Sequence, residues 1–238
     1  MEHFTKTIKG IKDRGAAQLF IDGDWRASSG SNELSVVTPH NEETVLTYFE
    51  PTTADVDVAV AAARRAFDTG PWPRMSPAER GVYLKKVSDI LMARMPELAA
   101  AWTGQVGAVI GFSSKASYQV PGLFKFYGDL CDSYKFVDER IGSMGGNKVR
   151  VVKEPVGVVA AVTPWNAPLV LLVYKVAAAL AAGCTMVCKP SPETPIDAHI
   201  LAEAIKEAGI PAGVFNMLPA GREVGDHLVR HPGIDKIS

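Results

Sequence analysis

From Val156 onward the chain alternates short apolar runs with helical stretches, and that alternation restricts its fold more than any other feature. Val156 to Val162 reads as a strand, Pro168 to Ala182 as a helix stopped by Gly183, and Thr185 to Cys188 as a second strand. Ile196 to Ala208 follows as a helix ended by Gly209 and Pro211. Val214 to Leu218 and Ile234 to Ile237 are further strands, with Glu223 to Arg230 helical between them. A β-α-β-α-β-α-β series predicts an α/β fold, a parallel doubly wound sheet with flanking helices. Such sheets bind ligands at the carboxyl ends of their strands. The candidate loops are therefore Thr163-Pro164-Trp165-Asn166, Lys189-Pro190-Ser191-Pro192-Glu193 and Pro219-Ala220-Gly221-Arg222-Glu223.

The apolar run from Ala167 to Cys188 approaches bilayer length, but Lys175 sits inside it, Gly183 interrupts it and Lys189 follows it. A buried helix and a buried parallel strand account for it better than a membrane span. A net charge of −1 gives no electrostatic case for nucleic acid or an anionic membrane surface. The start, MEHFTKTIKGIKDRG, has no apolar core of signal-peptide length, and three cysteines do not make a disulfide framework. The expectation is a cytoplasmic protein kept reduced.

The part before about Gly122 reads as a cover rather than a site. Leu19 to Trp25 predicts a hairpin with a Gly turn, and Val36-Val37-Thr38-Pro39 the start of a second strand pair. Thr53-Ala54-Asp55 caps a helix through Val56, Val60, Ala63 and Phe67, and Ser76-Pro77-Ala78-Glu79 is a capping box opening a helix to about Arg94. Phe124 to Asp138 carries aromatics on a mixed helix, and Gly142 to Asn147 is a loop. Lys148 to Lys153 alternates polar and apolar residues, as suits an exposed strand whose edge invites a second subunit, or a solvated hairpin.

Several side chains at the strand ends suit chemistry. The amide of Asn166 can donate to an oxyanion developing on a carbonyl substrate, or cap the helix that follows it. Trp165 can wall a cofactor or belong to the core. Lys189, leaving a strand, suits sugar hydroxyls or phosphate, or is a surface lysine, while Lys175 in an apolar helix must snorkel, pair or titrate low. Gly221 and Gly225 permit close backbone approach, though Gly-x-x-x-Gly is a weak signal. His227 and His231 are one helical turn apart with no third ligand evident, so no metal site is expected. Cys184 and Cys188 share a strand face as core residues, and Cys131 has no neighbour to activate it, which leaves no nucleophile. There is no Gly-x-Gly-x-x-Gly, no phosphate-loop motif and no Gly-x-Ser-x-Gly. A short-chain reductase is excluded by the lack of a Tyr-x-x-x-Lys pair.

Taken together, these segments resemble a known family. Pro155-Val156-Gly157-Val158-Val159 through Thr163-Pro164-Trp165-Asn166-Ala167-Pro168, then Ala179 to Cys184, Lys189 to Pro195 and His231 to Ser238, are similar to the aldehyde dehydrogenase superfamily. Ile21 to Trp25, Ala62 to Phe67 and Pro71-Trp72-Pro73 fit as well, so the likeness runs from Leu19 to the last residue, over about the first half of a family enzyme. It implies a Rossmann-like NAD(P)-binding core at 156–238, an oligomerisation hairpin at 134–155 and an amino-terminal part of the cofactor domain at 1–133. The implied reaction is oxidation of a small aldehyde to a carboxylic acid, with a Cys attacking the carbonyl, a hydride passing to NAD or NADP and a Glu activating water. Asn166 matches the oxyanion-hole Asn and Lys175 a proton-relay Lys. Val162, Thr163, Pro164 and Trp165 match the cofactor cleft wall. Lys189 matches the Lys that bonds the adenosine ribose, with Ser191, Pro192, Glu193, Gly221 and Gly225 beside it, and the hairpin implies a homodimer or homotetramer.

Two departures qualify this. Many NAD-preferring members carry a Glu three residues after the Lys; here Pro192 stands there and Glu193 one place later, leaving NAD ahead of NADP with both open. The family's Gly-Ser turn, general-base Glu and nucleophilic Cys would lie past Ser238, so the isolated chain is expected to be inactive and, with an uncovered sheet edge, prone to aggregation or partial disorder. The alternative is a non-catalytic dinucleotide-binding or assembly module that pairs with a full-length subunit.

Overall fold

The chain's secondary structure follows its capping and patterning signals closely in this computed structural model, which describes residues 2–143 and 145–238. Helix α1 (Glu2–Asp13) buries Phe4, Ile8 and Ile11 and precedes a hairpin of β1 (Ala17–Ile21) and β2 (Asp24–Ala27). The hairpin turns at Asp22 and Gly23, whose φ angles are 57° and 80°, a left-handed pair that suits a tight turn between twisted strands. Strands β3 (Glu33–Val37) and β4 (Thr44–Phe49) form a separate two-stranded ladder. Val36 thus ends a strand instead of beginning one.

Helix α2 (Thr53–Asp68) is capped by Thr52 rather than by the three residues that follow it, in a full capping box with Asp55. After a short 3-10 turn at Trp72–Arg74 comes α3 (Pro77–Ala93), whose capping box of Ser76 and Glu79 forms as read from the sequence and whose first residue is Pro77. Such caps each contribute about 1 kcal/mol. Helices α4 (Met95–Val106) and α5 (Ile110–Ala116) fill the stretch up to α6 (Gln119–Ser133). Helix α6 ends at Ser133, because Tyr134 turns extended (φ −71°, ψ 127°), so Asp138 belongs not to a helix but to β5 (Val137–Ile141). β5 pairs antiparallel with β6 (Lys148–Val152), giving the anticipated hairpin. Met144, within the stretch 142–147 read as a loop from the sequence, lies outside the described residues.

The remaining chain supplies β7 (Val158–Val162), α7 (Pro168–Ala182), β8 (Thr185–Lys189), α8 (Ile196–Ala208), β9 (Phe215–Met217), α9 (Arg222–Arg230) and β10 (Lys236–Ile237). β10, β7, β8 and β9 are parallel neighbours in that order, as the alternation predicts. The sheet is nevertheless mixed. β1 pairs antiparallel with β9 and carries β2 outside it, so the amino-terminal hairpin extends the sheet rather than covering it. Alternate residues face opposite layers, the period-two pattern of a strand. Val159, Ala161, Cys184, Met186, Cys188 and Phe215 enter the core shared with α1, α3, α4, α6, α7 and α8. Val158, Ala160, Val187 and Leu218 face α2 and α9 on the other side. The run from Ala167 to Cys188 is α7, buried on one side and exposed at Tyr174, plus the fully buried β8, and no helix of the described residues is long and apolar enough to cross a membrane.

Candidate functional site

Four parallel strands direct their carboxyl ends to one edge, and the loops there bring most of the anticipated residues together. Val162, Lys189, Ser191, Pro192, Glu193, Gly221 and Gly225 line one cleft of about 450 Å³, joined by Ala220, Arg222, Asp226 and Val229. The last three lie at one- and two-turn intervals on α9, on the face that carries Gly225; extending the Gly-x-x-x-Gly pattern along the helix would have found them.

Lys189 is the buried cation of this cleft, only 8% exposed. Its Nζ donates to the Ala220 carbonyl at 2.7 Å and to that of Pro190 at 3.4 Å. Burial lowers its pKa, against the opposing pull of the carboxylates of Glu193 and Glu50. An ammonium has three N–H groups, so one remains for a ligand. The two glycines now have separate reasons. A Cβ on Gly225 would stand 3.0 Å from Lys189 Cδ, and one on Gly221 would stand 2.8 Å from Glu50 Oε1. Each leaves room for a charged side chain.

The loop conformation is held from outside. Tyr48 Oη donates to the Pro192 carbonyl at 2.9 Å, and burial raises the pKa of this phenol, so it stays a donor. Ser191 Oγ donates to the carboxylate of Glu193. Thr163 is buried at the end of β7, its Oγ1 without a hydrogen-bond partner among the described residues, while Pro164 and Trp165 are exposed beside it. These three do not line the cleft around Lys189.

Asn166 is exposed and does not cap α7; the cap position is Ala167 and no side chain caps it. Its backbone carbonyl accepts from Trp102 Nε1 at 3.2 Å. No hydrogen bond to its side-chain amide occurs among the described residues, so that donor is free. The start of α7 is tied instead by Asp197, whose Oδ2 accepts from Leu169 N–H at 3.1 Å. Lys175, half-buried, donates to Ser238 Oγ at 3.2 Å and lines a second hollow of about 570 Å³ with Val156, Val159, Cys184 and Ser238. Neither Asn166 nor Lys175 lines the cleft around Lys189.

The three cysteines are buried, and burial raises each thiol's pKa, so none is an activated nucleophile. The histidine pair does acquire a third neighbour that sequence spacing could not reveal: Asp57 of α2 lies 2.6 Å from His227 Nε2 and 3.4 Å from His231 Nε2. Gly233 N–H donates to His231 Nδ1 at 2.9 Å, which leaves the ring proton on Nε2, turned toward the carboxylate. The group therefore reads as an aspartate receiving imidazole N–H donors across α2 and α9 rather than as a set of open metal ligands.

Comparison with known proteins agrees with this architecture. The model of the aldehyde dehydrogenase family matches residues 25–238. The putative aldehyde dehydrogenase DhaS of Bacillus subtilis is 38% identical over 94% of this chain and 46% of its own length. The geranial dehydrogenase of Castellaniella defragrans is 37% identical over 92% and 46%. Among solved structures, Pseudomonas syringae aldehyde dehydrogenase C complexed with NAD+ and octanal superposes with a TM-score of 0.88 at 36% identity, covering 94% of this chain and 45% of that one. Staphylococcus aureus betaine aldehyde dehydrogenase in complex with NAD+ gives 0.91 at 30% identity, covering 99% and 47%. The chain spans about half the length of the relatives it matches. The match of the family model over residues 25–238 makes it a member of the aldehyde dehydrogenase family.

Proposed function

We propose that this chain is the cofactor-binding half of an NAD(P)-dependent aldehyde dehydrogenase that oxidises a small aldehyde to a carboxylic acid. The observation that carries the reading is Lys189, a buried ammonium at a strand end with one N–H unused, in a cleft that Gly225 keeps open. These residues fit the adenosine end of a dinucleotide: the free N–H suits a ribose hydroxyl, and Arg222 and Val229 offer charge and apolar surface beside it. Glu193 and Glu50 near Lys189 disfavour an added 2′-phosphate, so NAD is preferred to NADP. When bound, the nicotinamide supplies the hydride acceptor.

The chain's own part in the chemistry is preparatory. Asn166 offers its unbonded amide to the oxygen of the reacting carbonyl, and Lys175, whose Nζ meets Ser238 Oγ, serves as a proton-relay group. A nucleophile for a Cys thiohemiacetal must be another cysteine, since Cys131, Cys184 and Cys188 are buried with raised pKa values. The isolated chain is accordingly inactive. A second reading, an assembly module, is favoured by the β5–β6 hairpin, which exposes Val137, Ile141, Val149, Val151 and Val152 and suits pairing in a homodimer or homotetramer.

Calorimetric titration of the chain with NAD+ and NADP+ tests the reading. Binding of NAD+ that Lys189→Met weakens about tenfold or more supports it, as loss of a charge-assisted hydrogen bond predicts. No detectable binding of either dinucleotide, or acid formation from aldehydes by the isolated chain, refutes it.

A further inference from the structure

Ala220 C=O and Gly221 N–H belong to the same trans peptide unit, and both ends of that unit are held by charged side chains from distant parts of the chain. The carbonyl accepts from Lys189 Nζ at 2.7 Å. The N–H donates to Glu50 Oε1, also at 2.7 Å, across 171 sequence positions. Glu50 is itself fixed on every side. Its Oε2 accepts from Asn32 Nδ2 at 2.8 Å, its own N–H donates to the Asn32 carbonyl at 2.8 Å, and its carbonyl accepts from Ser28 Oγ at 2.7 Å.

We propose that Glu50 is a positioning residue of the cofactor cleft: by gripping the N–H of the 220–221 peptide it aims the opposite carbonyl at Lys189 and so sets where the ammonium points. The order of charges is favourable throughout, since a carboxylate faces the positive end of the peptide dipole and an ammonium the negative end. A planar peptide transmits the constraint rigidly, because rotating the N–H away from Glu50 must swing the carbonyl away from Lys189. Gly221 suits the same arrangement, as a Cβ there would stand 2.8 Å from Glu50 Oε1 and push the carboxylate off the N–H. Without this grip, Lys189 retains the weaker 3.4 Å contact to Pro190 and becomes free to reorient. That the oriented ammonium serves a dinucleotide rests on the function proposed above; the clamp itself does not.

Two readouts separate the clamp from the cofactor. Brief amine acylation followed by peptide mass spectrometry measures how protected Lys189 is with no ligand present, and calorimetry measures NAD+ affinity. Glu50→Ala is expected to raise the acylation rate of Lys189 about tenfold and to weaken NAD+ by a similar factor, the scale of one charge-assisted hydrogen bond. Glu50→Gln keeps an oxygen for the Gly221 N–H, its NH2 group donating to Asn32 Oδ1 once the exposed Asn32 amide turns over, and is expected to restore both to within about threefold of wild type. If Glu50→Ala does not fold, Glu50→Asp, which draws the carboxylate back by one methylene, takes its place in the same labelling assay. Lys189 as protected in Glu50→Ala as in wild type overturns the proposal, as does Glu50→Gln behaving like Glu50→Ala. If labelling responds as expected while wild type binds no dinucleotide, the clamp stands and the cofactor assignment falls.

Discussion

Asp197 and His199, two residues apart at the start of α8, titrate in opposite senses, and removing one must expose the other. Burial raises the Asp197 carboxyl from 3.8 to about 7; its Oδ1 finds no hydrogen-bond partner among the described residues. Burial, with the charge of Arg14, lowers His199 from 6.5 to about 3. Arg14 Nη2 donates to His199 Nδ1 at 2.8 Å and Trp25 stacks on the ring at 5.1 Å, so the imidazole is held neutral. The signs follow from linkage. Asp197, with its raised pKa, favours the folded state below pH 3.8 and loses that advantage as pH rises toward 7. His199, a base with a lowered pKa, favours the folded state above pH 6.5 and loses that advantage as pH falls toward 3. Between pH 3.8 and 6.5 the folded chain carries its proton on Asp197 and the unfolded chain on His199, so the two slopes cancel.

Asp197→Asn removes one slope while keeping an oxygen to accept the Leu169 N–H. The variant is expected to gain stability, relative to wild type, by about 1.4 kcal/mol per pH unit, or about 3 kcal/mol between pH 4.5 and 6.5. His199→Gln should do the reverse. Urea unfolding followed by circular dichroism at pH 4.5, 5.5 and 6.5, taken as the difference from wild type, cancels every other titration. Difference curves that stay flat with pH would refute the argument, whatever their offset, because an offset measures packing and only the slope measures protons.

Two further outcomes bear on the cleft and the hairpin. Gly225→Ala should weaken NAD+ binding about tenfold while leaving thermal stability unchanged or slightly raised, since the new Cβ lies 3.0 Å from Lys189 Cδ but replaces a helical glycine at a gain of up to about 1 kcal/mol; calorimetry and a melt decide it. Replacing both Ile141 and Val151, exposed on the hairpin, by Lys should lower self-association in sedimentation without shifting the melt by more than a degree or two, as expected of surface substitutions worth at most about 0.5 kcal/mol.

What could be read in advance was governed by how local each signal is. The capping box at Ser76, the left-handed helix ends at Gly183 and Gly209 and the β-α alternation after Val156 are all written within a few neighbouring residues, and all appear where expected. Helix α1 carries no such mark: its Phe4, Ile8 and Ile11 are spaced by a helical turn within a short, polar stretch whose helicity depends on docking against α4. The hairpin of β1 and β2 is legible in its Gly turn, its partner is not: pairing with β9 joins residues nearly two hundred positions apart, and nothing in Leu19 to Trp25 names the strand it will meet.

The site divides along the same line. Lys189, Ser191, Glu193, Gly221 and Gly225 lie at strand ends, where a parallel sheet gathers them whatever the rest of the chain does. Glu50, Tyr48, Trp102 and Asp57 arrive from the amino-terminal part, each touching a loop or helix that the sequence places far away, and no local pattern marks them. The glycines carry the lesson in both directions. Gly-x-x-x-Gly at 221 and 225 was too common a pattern to mean much, and its meaning came only from what a Cβ would strike: a carboxylate at one position and a lysine stem at the other. A glycine required by close approach records the neighbour that needs the space, and here the two neighbours hold the two ends of one peptide, directly at Lys189 and through Glu50. The amino-terminal part is therefore not a cover laid over a finished cleft; it supplies one of the two charges that orient it.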